Sequence, residues 1–149
     1  MFKTAKAPYR IAAVLFLLFA AGHTAGFLTF RPKAADALAV QQDMSRVHFD
    51  FGGGAATWND FYTGFGLFVS AYLLFSSVLA WRLASVRETE TALARTLAWM
   101  LFAVQLATIA LCLRYFGPVQ AIFAVACAAS VGWAALQTKT TSPERSQSH

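Results

Sequence analysis

Charge is missing from more than half of this chain. Ile11–Phe30, Phe61–Trp81, Leu97–Phe116 and Pro118–Leu136 cover 80 of the 149 residues, yet hold one of the 19 Asp, Glu, Lys and Arg residues, Arg114. A random scatter would leave about 10 there, so the exclusion is what a hydrocarbon solvent imposes. With 58% hydrophobic residues and a mean hydropathy of +0.52, an ordinary soluble domain is excluded. Alternation is missing too: a lipid-spanning barrel reads as alternating segments of about 10 residues, whereas Ile11 to Phe19 runs apolar throughout. Cysteine is scarce. Cys112 and Cys127 lie in the third and fourth stretches, and their depths differ by about 7–8 Å at the rise of a helix. A disulfide needs Cα atoms within about 7 Å in total, so both read as small buried hydrophobes. Also absent are a nucleophile elbow, a CxxC pair and an HExxH helix, and no Gly-Lys-Ser/Thr follows Gly52-Gly53-Gly54 to make a phosphate loop. The three histidines, His23, His48 and His149, are too scattered for a metal centre. No cofactor and no metal is expected.

What is present is four apolar runs, each about 20 residues and so roughly 30 Å as a helix, the thickness of the hydrocarbon core. The expected fold is all-α: a four-helix transmembrane bundle in one domain over residues 1–137, with 138–149 a disordered tail. Basic residues set its orientation. Lys3, Lys6, Arg10, Arg82, Arg87, Arg95, Lys139 and Arg145 fall on one side, against Arg31, Lys33, Arg46 and Arg114 on the other. The positive-inside rule puts both termini in the cytoplasm of a multi-pass inner-membrane protein. The opposite side adds Asp36, Asp43, Asp50 and Asp60, so the net charge of +5 reflects a face on anionic lipid and not a nucleic-acid partner. The basic start and apolar run imitate a secretory signal. The run continues to Phe30, beyond a typical core of about 7–15 residues, so it is read as a retained span.

Residues 1–10 are expected to form a basic lead, and Arg31-Pro32 to end the first helix. Between residues 31 and 60, Ala37, Val40, Met44 and Val47 recur at spacings of three and four, which predicts a short amphipathic helix on the outer interface. Gly52-Gly53-Gly54 should break it, and Asn59 or Asp60 should cap the second span. Gly117-Pro118 alone joins the third and fourth spans, a tight reversal.

Two clusters are candidates for chemistry. In Gly22-His23-Thr24-Ala25-Gly26 the glycines form GxxxG, a face open to close approach by another backbone. His23 lies roughly 10 Å below the outer surface, where an imidazole is either a hydrogen-bonding link between helices or a proton- or ligand-handling group. The second cluster opens the second span: Asp60 is a helix cap or a partner for His23 or Arg114, and Tyr62 enters the membrane at the same end. A catalytic site would need His23, Asp60 and Tyr62 to converge. Phe61, Phe65, Phe68, Tyr72 and Phe75 form an aromatic stripe read as a packing surface. Gly64, Gly66 and Ser70 on the second span, and Ala124, Ala128 and Gly132 on the fourth, are read as helix-packing positions. Gln105, with Thr108 a turn away, reads as an interhelical hydrogen-bonder, and Arg114 as a side chain snorkelling to headgroups.

Gly22-His23-Thr24-x-Gly26, Val47-His48-Phe49 followed by Gly52–Gly54, and Asp60-Phe61-Tyr62-x-Gly64-Phe65-Gly66-Leu67 together resemble a family of small, uncharacterised bacterial four-span membrane proteins over most of residues 10–136. The resemblance implies architecture and location, with no established activity. Where that family carries a basic and a polar residue ahead of the second-helix motif, this chain has Ala55, Ala56 and Thr57. The four-span plan is also similar to DoxX-like proteins and to the sterol-isomerase group, whose several intramembrane acidic residues this chain lacks. The first reading of function is a structural or accessory membrane component, pairing with another copy or a membrane partner. The alternatives are a small-molecule or lipid-handling enzyme using His23, Asp60 and Tyr62, and a transporter or channel component.

Overall fold

The structure, a computed structural model, describes residues 3–86 and 91–138. The chain is an all-α four-helix bundle whose long helices are each apolar and long enough to cross a membrane. In order they are α1 (Lys3–Thr29), the short α2 (Ala35–Arg46), a hairpin of β1 (His48–Phe51) and β2 (Gly54–Thr57), α3 (Trp58–Leu83), α4 (Thr91–Leu111) and α5 (Pro118–Gln137). Such lengths and compositions make it a multi-pass membrane protein.

Three boundaries differ from the sequence reading. Helix α1 starts at Lys3, not Ile11, and carries Pro8 within its early turns. Burial explains the extension: Ala5 and Tyr9 are fully buried, so packing stabilises a segment whose charges suggested a lead. At the other end Thr138, expected in the tail, is fixed: its hydroxyl bonds to Ala134 O at 2.8 Å and lies 3.1 Å from the Tyr9 hydroxyl. The remainder of the proposed tail, 139–149, lies outside the described residues. Third, α2 ends at Arg46, ahead of the glycines expected to break it, and the glycines serve a hairpin instead. Gly52 and Gly53 adopt φ of 62° and 87°, the two left-handed positions that a tight two-residue hairpin turn requires. They join β1 to β2 with Phe51 opposite Gly54 and His48 opposite Thr57.

The described residues form two compact units. One comprises residues up to Leu18 and from Phe75 onward. Its core is built of small side chains: Ala5, Ala84, Ala94, Ala98, Ala134 and Ala135 surround Tyr9 and Leu83, so helices drawn from all four spans approach closely. Ser77 reinforces this with a 2.8 Å bond to Ala13 O. Between α4 and α5, Ala124, Ala128 and Gly132 are buried, and a Cβ at Gly132 would lie 3.0 Å from the Phe102 ring. Cys112 and Cys127 are buried and unbridged. Residues Cys112–Phe116 widen into a π-turn, closed by Gly117 N–H donating to Cys112 O at 3.0 Å. Gly117 takes φ 130°, a value that excludes most side chains, and Pro118 opens α5.

The other unit, Phe19–Leu74, contains the C-terminal part of α1, α2, the hairpin and the N-terminal part of α3.

Candidate functional site

Every candidate for chemistry from the first two spans falls within this second unit. His23, on α1, is half-buried and its Nε2–H donates to Gly66 O on α3 at 3.1 Å. A carbonyl oxygen only accepts, so the hydrogen is assigned to Nε2, and a neutral ring suffices for the bond. One residue on, Thr24 Oγ1 lies 2.7 Å from both Ala20 O and Ser70 Oγ. Ser70 Oγ in turn lies 3.4 Å from Gly66 O. His23 and Thr24 thus bind the same turn of α3. Phe27 completes the contact: its ring stacks on His23 at 5.8 Å and meets Tyr62 at 5.0 Å. It lies so close over Gly66 that a Cβ there would overlap the ring. A glycine at 66 is therefore what lets this aromatic seat between the helices. Gly22, Gly26 and Gly64, by contrast, meet nothing within 4 Å.

Asp60 is engaged elsewhere. Its Oδ2 accepts from Thr57 N–H at 2.8 Å and from Thr57 Oγ1 at 2.7 Å, while Asp60 N–H donates back to Thr57 Oγ1 at 3.1 Å. This is a reciprocal capping box in which Thr57, rather than Asn59 or Asp60, is the cap and Asp60 closes it from the third helical position. The carboxylate holds the first turn of α3 and is joined to neither His23 nor Tyr62.

Asp60 and Tyr62 also face different cavities. Two residues apart on a helix are about 200° apart around its axis. Asp60 borders an apolar groove of about 330 Å³ with Phe61, Gly64, Phe65 and Phe68. Tyr62 borders a cleft of about 590 Å³ formed by the end of α1, by α2 and by the start of α3. Arg31, Gln41, Gln42, Ser45, Arg46 and Asn59 line this cleft, with Phe27 and Leu28 beside Tyr62. His23 does not border either one. Three candidates that shared one end of the membrane in the sequence thus occupy three environments.

The cleft escaped the sequence reading because it depends on how α2 turns. At 100° per residue, Ala37, Val40 and Met44 of the predicted apolar stripe lie away from Gln42, Ser45 and Arg46, with Gln41 at the stripe's edge and Val47 just past the helix end. The polar face lines the cleft, and Val40 (60% exposed) and Val47 (46%) remain uncovered by the chain. No residue of α2 is buried. Met44, within the stripe, is half-buried, so the exposed apolar surface is confined to the ends of the stripe. The aromatic residues of α3 divide likewise. Phe65, Phe68 and Phe75 of the stripe expected to pack against protein are 67–75% exposed, while Phe61 and Tyr72 are half-buried and Phe61 packs on Phe49, Phe51 and Trp58.

The remaining polar spanning residues belong to the other unit. Gln105 is fully buried on α4, and Thr108 Oγ1 donates to Val104 O at 2.9 Å. Arg114 is exposed in the π-turn, its guanidinium 5.1 Å from the Tyr115 ring centroid. Among the described residues no cluster of three metal-binding side chains occurs. No family model, curated protein or solved structure matches the chain.

Proposed function

We propose that this chain is a structural or accessory component of a bacterial inner membrane, with both termini cytoplasmic, of the same kind as the small four-span proteins it resembles. One observation carries this reading: the two groups best suited to acid–base work are both spent on holding helices. His23 ties α1 to Gly66 O, and Asp60 closes the cap on α3. Neither borders the cleft that contains Tyr62, whereas general acid–base catalysis needs its groups within hydrogen-bond reach of one substrate. The buried residues described include no Asp, Glu, Lys or Arg, which argues against an ion path.

The accessory role is pairing through Gly22 and Gly26. Both stand open, so Gly22→Leu and Gly26→Leu leave the chain's own packing intact while blocking a second helix. Native gel electrophoresis and cross-linking in membranes test this. The expected outcome is loss of the higher-mass species in both leucine variants and its retention in His23→Gln. A catalytic His23 would reverse that pattern, leaving assembly unchanged and abolishing a lipid or small-molecule conversion in His23→Gln.

A further inference from the structure

We propose that the cleft between the end of α1, α2 and the start of α3 binds the phosphate of an anionic lipid headgroup. Its lining carries two guanidinium groups, Arg31 and Arg46, and no carboxylate. Both are held in place: Arg31 Nη1 donates to Phe30 O at 2.8 Å, and Arg46 donates through Nε and Nη2 to Asp43 Oδ1 at 3.1 and 2.9 Å. A guanidinium has five N–H donors, so these bonds orient each fork without exhausting it. The Asp43 pair is exposed and therefore weak, and a phosphate offers more acceptor oxygens. Gln42 and Asn59 add amide donors for phosphate or glycerol oxygens.

Two features favour a lipid over a free phosphate ester. Phe27 and Leu28 make one wall of the cleft apolar, which suits the glycerol–acyl junction. The cleft also sits where apolar helices end: α1 stops at Thr29, and exposed Trp58 opens α3, the pairing of chain end and aromatic that marks headgroup depth. Helix α2 lines one side of the cleft with Gln41, Gln42, Ser45 and Arg46. The assignment stands independently of pairing through Gly22 and Gly26.

The test uses the full chain, purified in detergent and offered equimolar phosphatidylglycerol and phosphatidylcholine, with retained lipid read by native mass spectrometry. Phosphatidylglycerol should be retained in about tenfold preference, and the Arg31→Gln/Arg46→Gln variant should lose about tenfold of it, the scale of one charge-assisted hydrogen bond. Arg114→Gln, which removes an exposed arginine outside the cleft, should retain it. Gln42→Glu, which adds repulsion without removing an arginine, should weaken retention if the double variant does not fold. Equal retention of the two lipids, or equal loss in Arg114→Gln, overturns the proposal. So does displacement of the lipid by an equal concentration of glycerol phosphate, which would make the ligand a water-soluble ester.

Discussion

Gly66 is where a single methyl group decides whether α1 and α3 meet. The Phe27 ring occupies the space a Cβ would need, with His23 and Tyr62 flanking it and the cleft open beside it, so a Cβ at position 66 must push the ring toward the cleft. Gly66→Ala should lower stability by about 1–3 kcal/mol, the usual cost of overpacking, measured by thermal or denaturant unfolding in detergent. Adding Phe27→Ala should recover part of the loss; no recovery would place the strain elsewhere. His23→Leu should cost about 0.6–2 kcal/mol, the range for an interhelical hydrogen bond in a membrane, whereas His23→Gln keeps a donor and should cost less. The sequence marked His23 as an interhelical link or a proton-handling group, and Gly66 and Ser70 as packing positions, without joining the two. The acceptor of the His23 bond was not legible, because a backbone carbonyl carries no residue identity.

At the scale of elements, local chemistry decides where each segment begins and turns. Thr57→Ala removes both bonds of the Thr57 hydroxyl at the start of α3 and leaves the backbone N–H of residue 57 donating to Asp60 Oδ2. Amide exchange over the first turn should quicken by about fivefold, the effect of losing a typical cap, with the middle of the helix unaffected. The hairpin depends on two left-handed residues. A Cβ at Gly52 meets no neighbour within 4 Å, so the penalty of Gly52→Ala is backbone strain, about 1–2 kcal/mol, visible as faster exchange across His48–Phe51 and Gly54–Thr57. The glycines were read as a break in α2, which in fact ends earlier at Arg46; their hairpin role was not legible, because Ala55 and Ala56 give β2 a weak strand signature. The amphipathic stripe of α2 was legible, yet which face met protein was not. Periodicity reports that two faces exist, while the surroundings decide their assignment.

For the whole molecule, the bundle follows from one constraint: backbone and side-chain polarity must be satisfied internally where water is absent. The four spans were readable from the exclusion of charge, because that constraint acts on every residue of a span. Burial at Ala5, Tyr9 and Thr138 then carried order beyond the apolar runs, which hydropathy alone does not register. The cleft was the least legible feature, since it joins Arg31, Arg46 and Asn59 from segments that no periodicity connects. The proposed topology puts Ser45 and Ser85 on opposite sides of the membrane. The most direct test places single cysteines at Ser45 and Ser85, in a chain whose Cys112 and Cys127 are replaced by alanine, and exposes intact cells to a membrane-impermeant maleimide. The account predicts labelling at position 45 in intact cells and at position 85 only after permeabilisation. Labelling of both positions from the same side would contradict it.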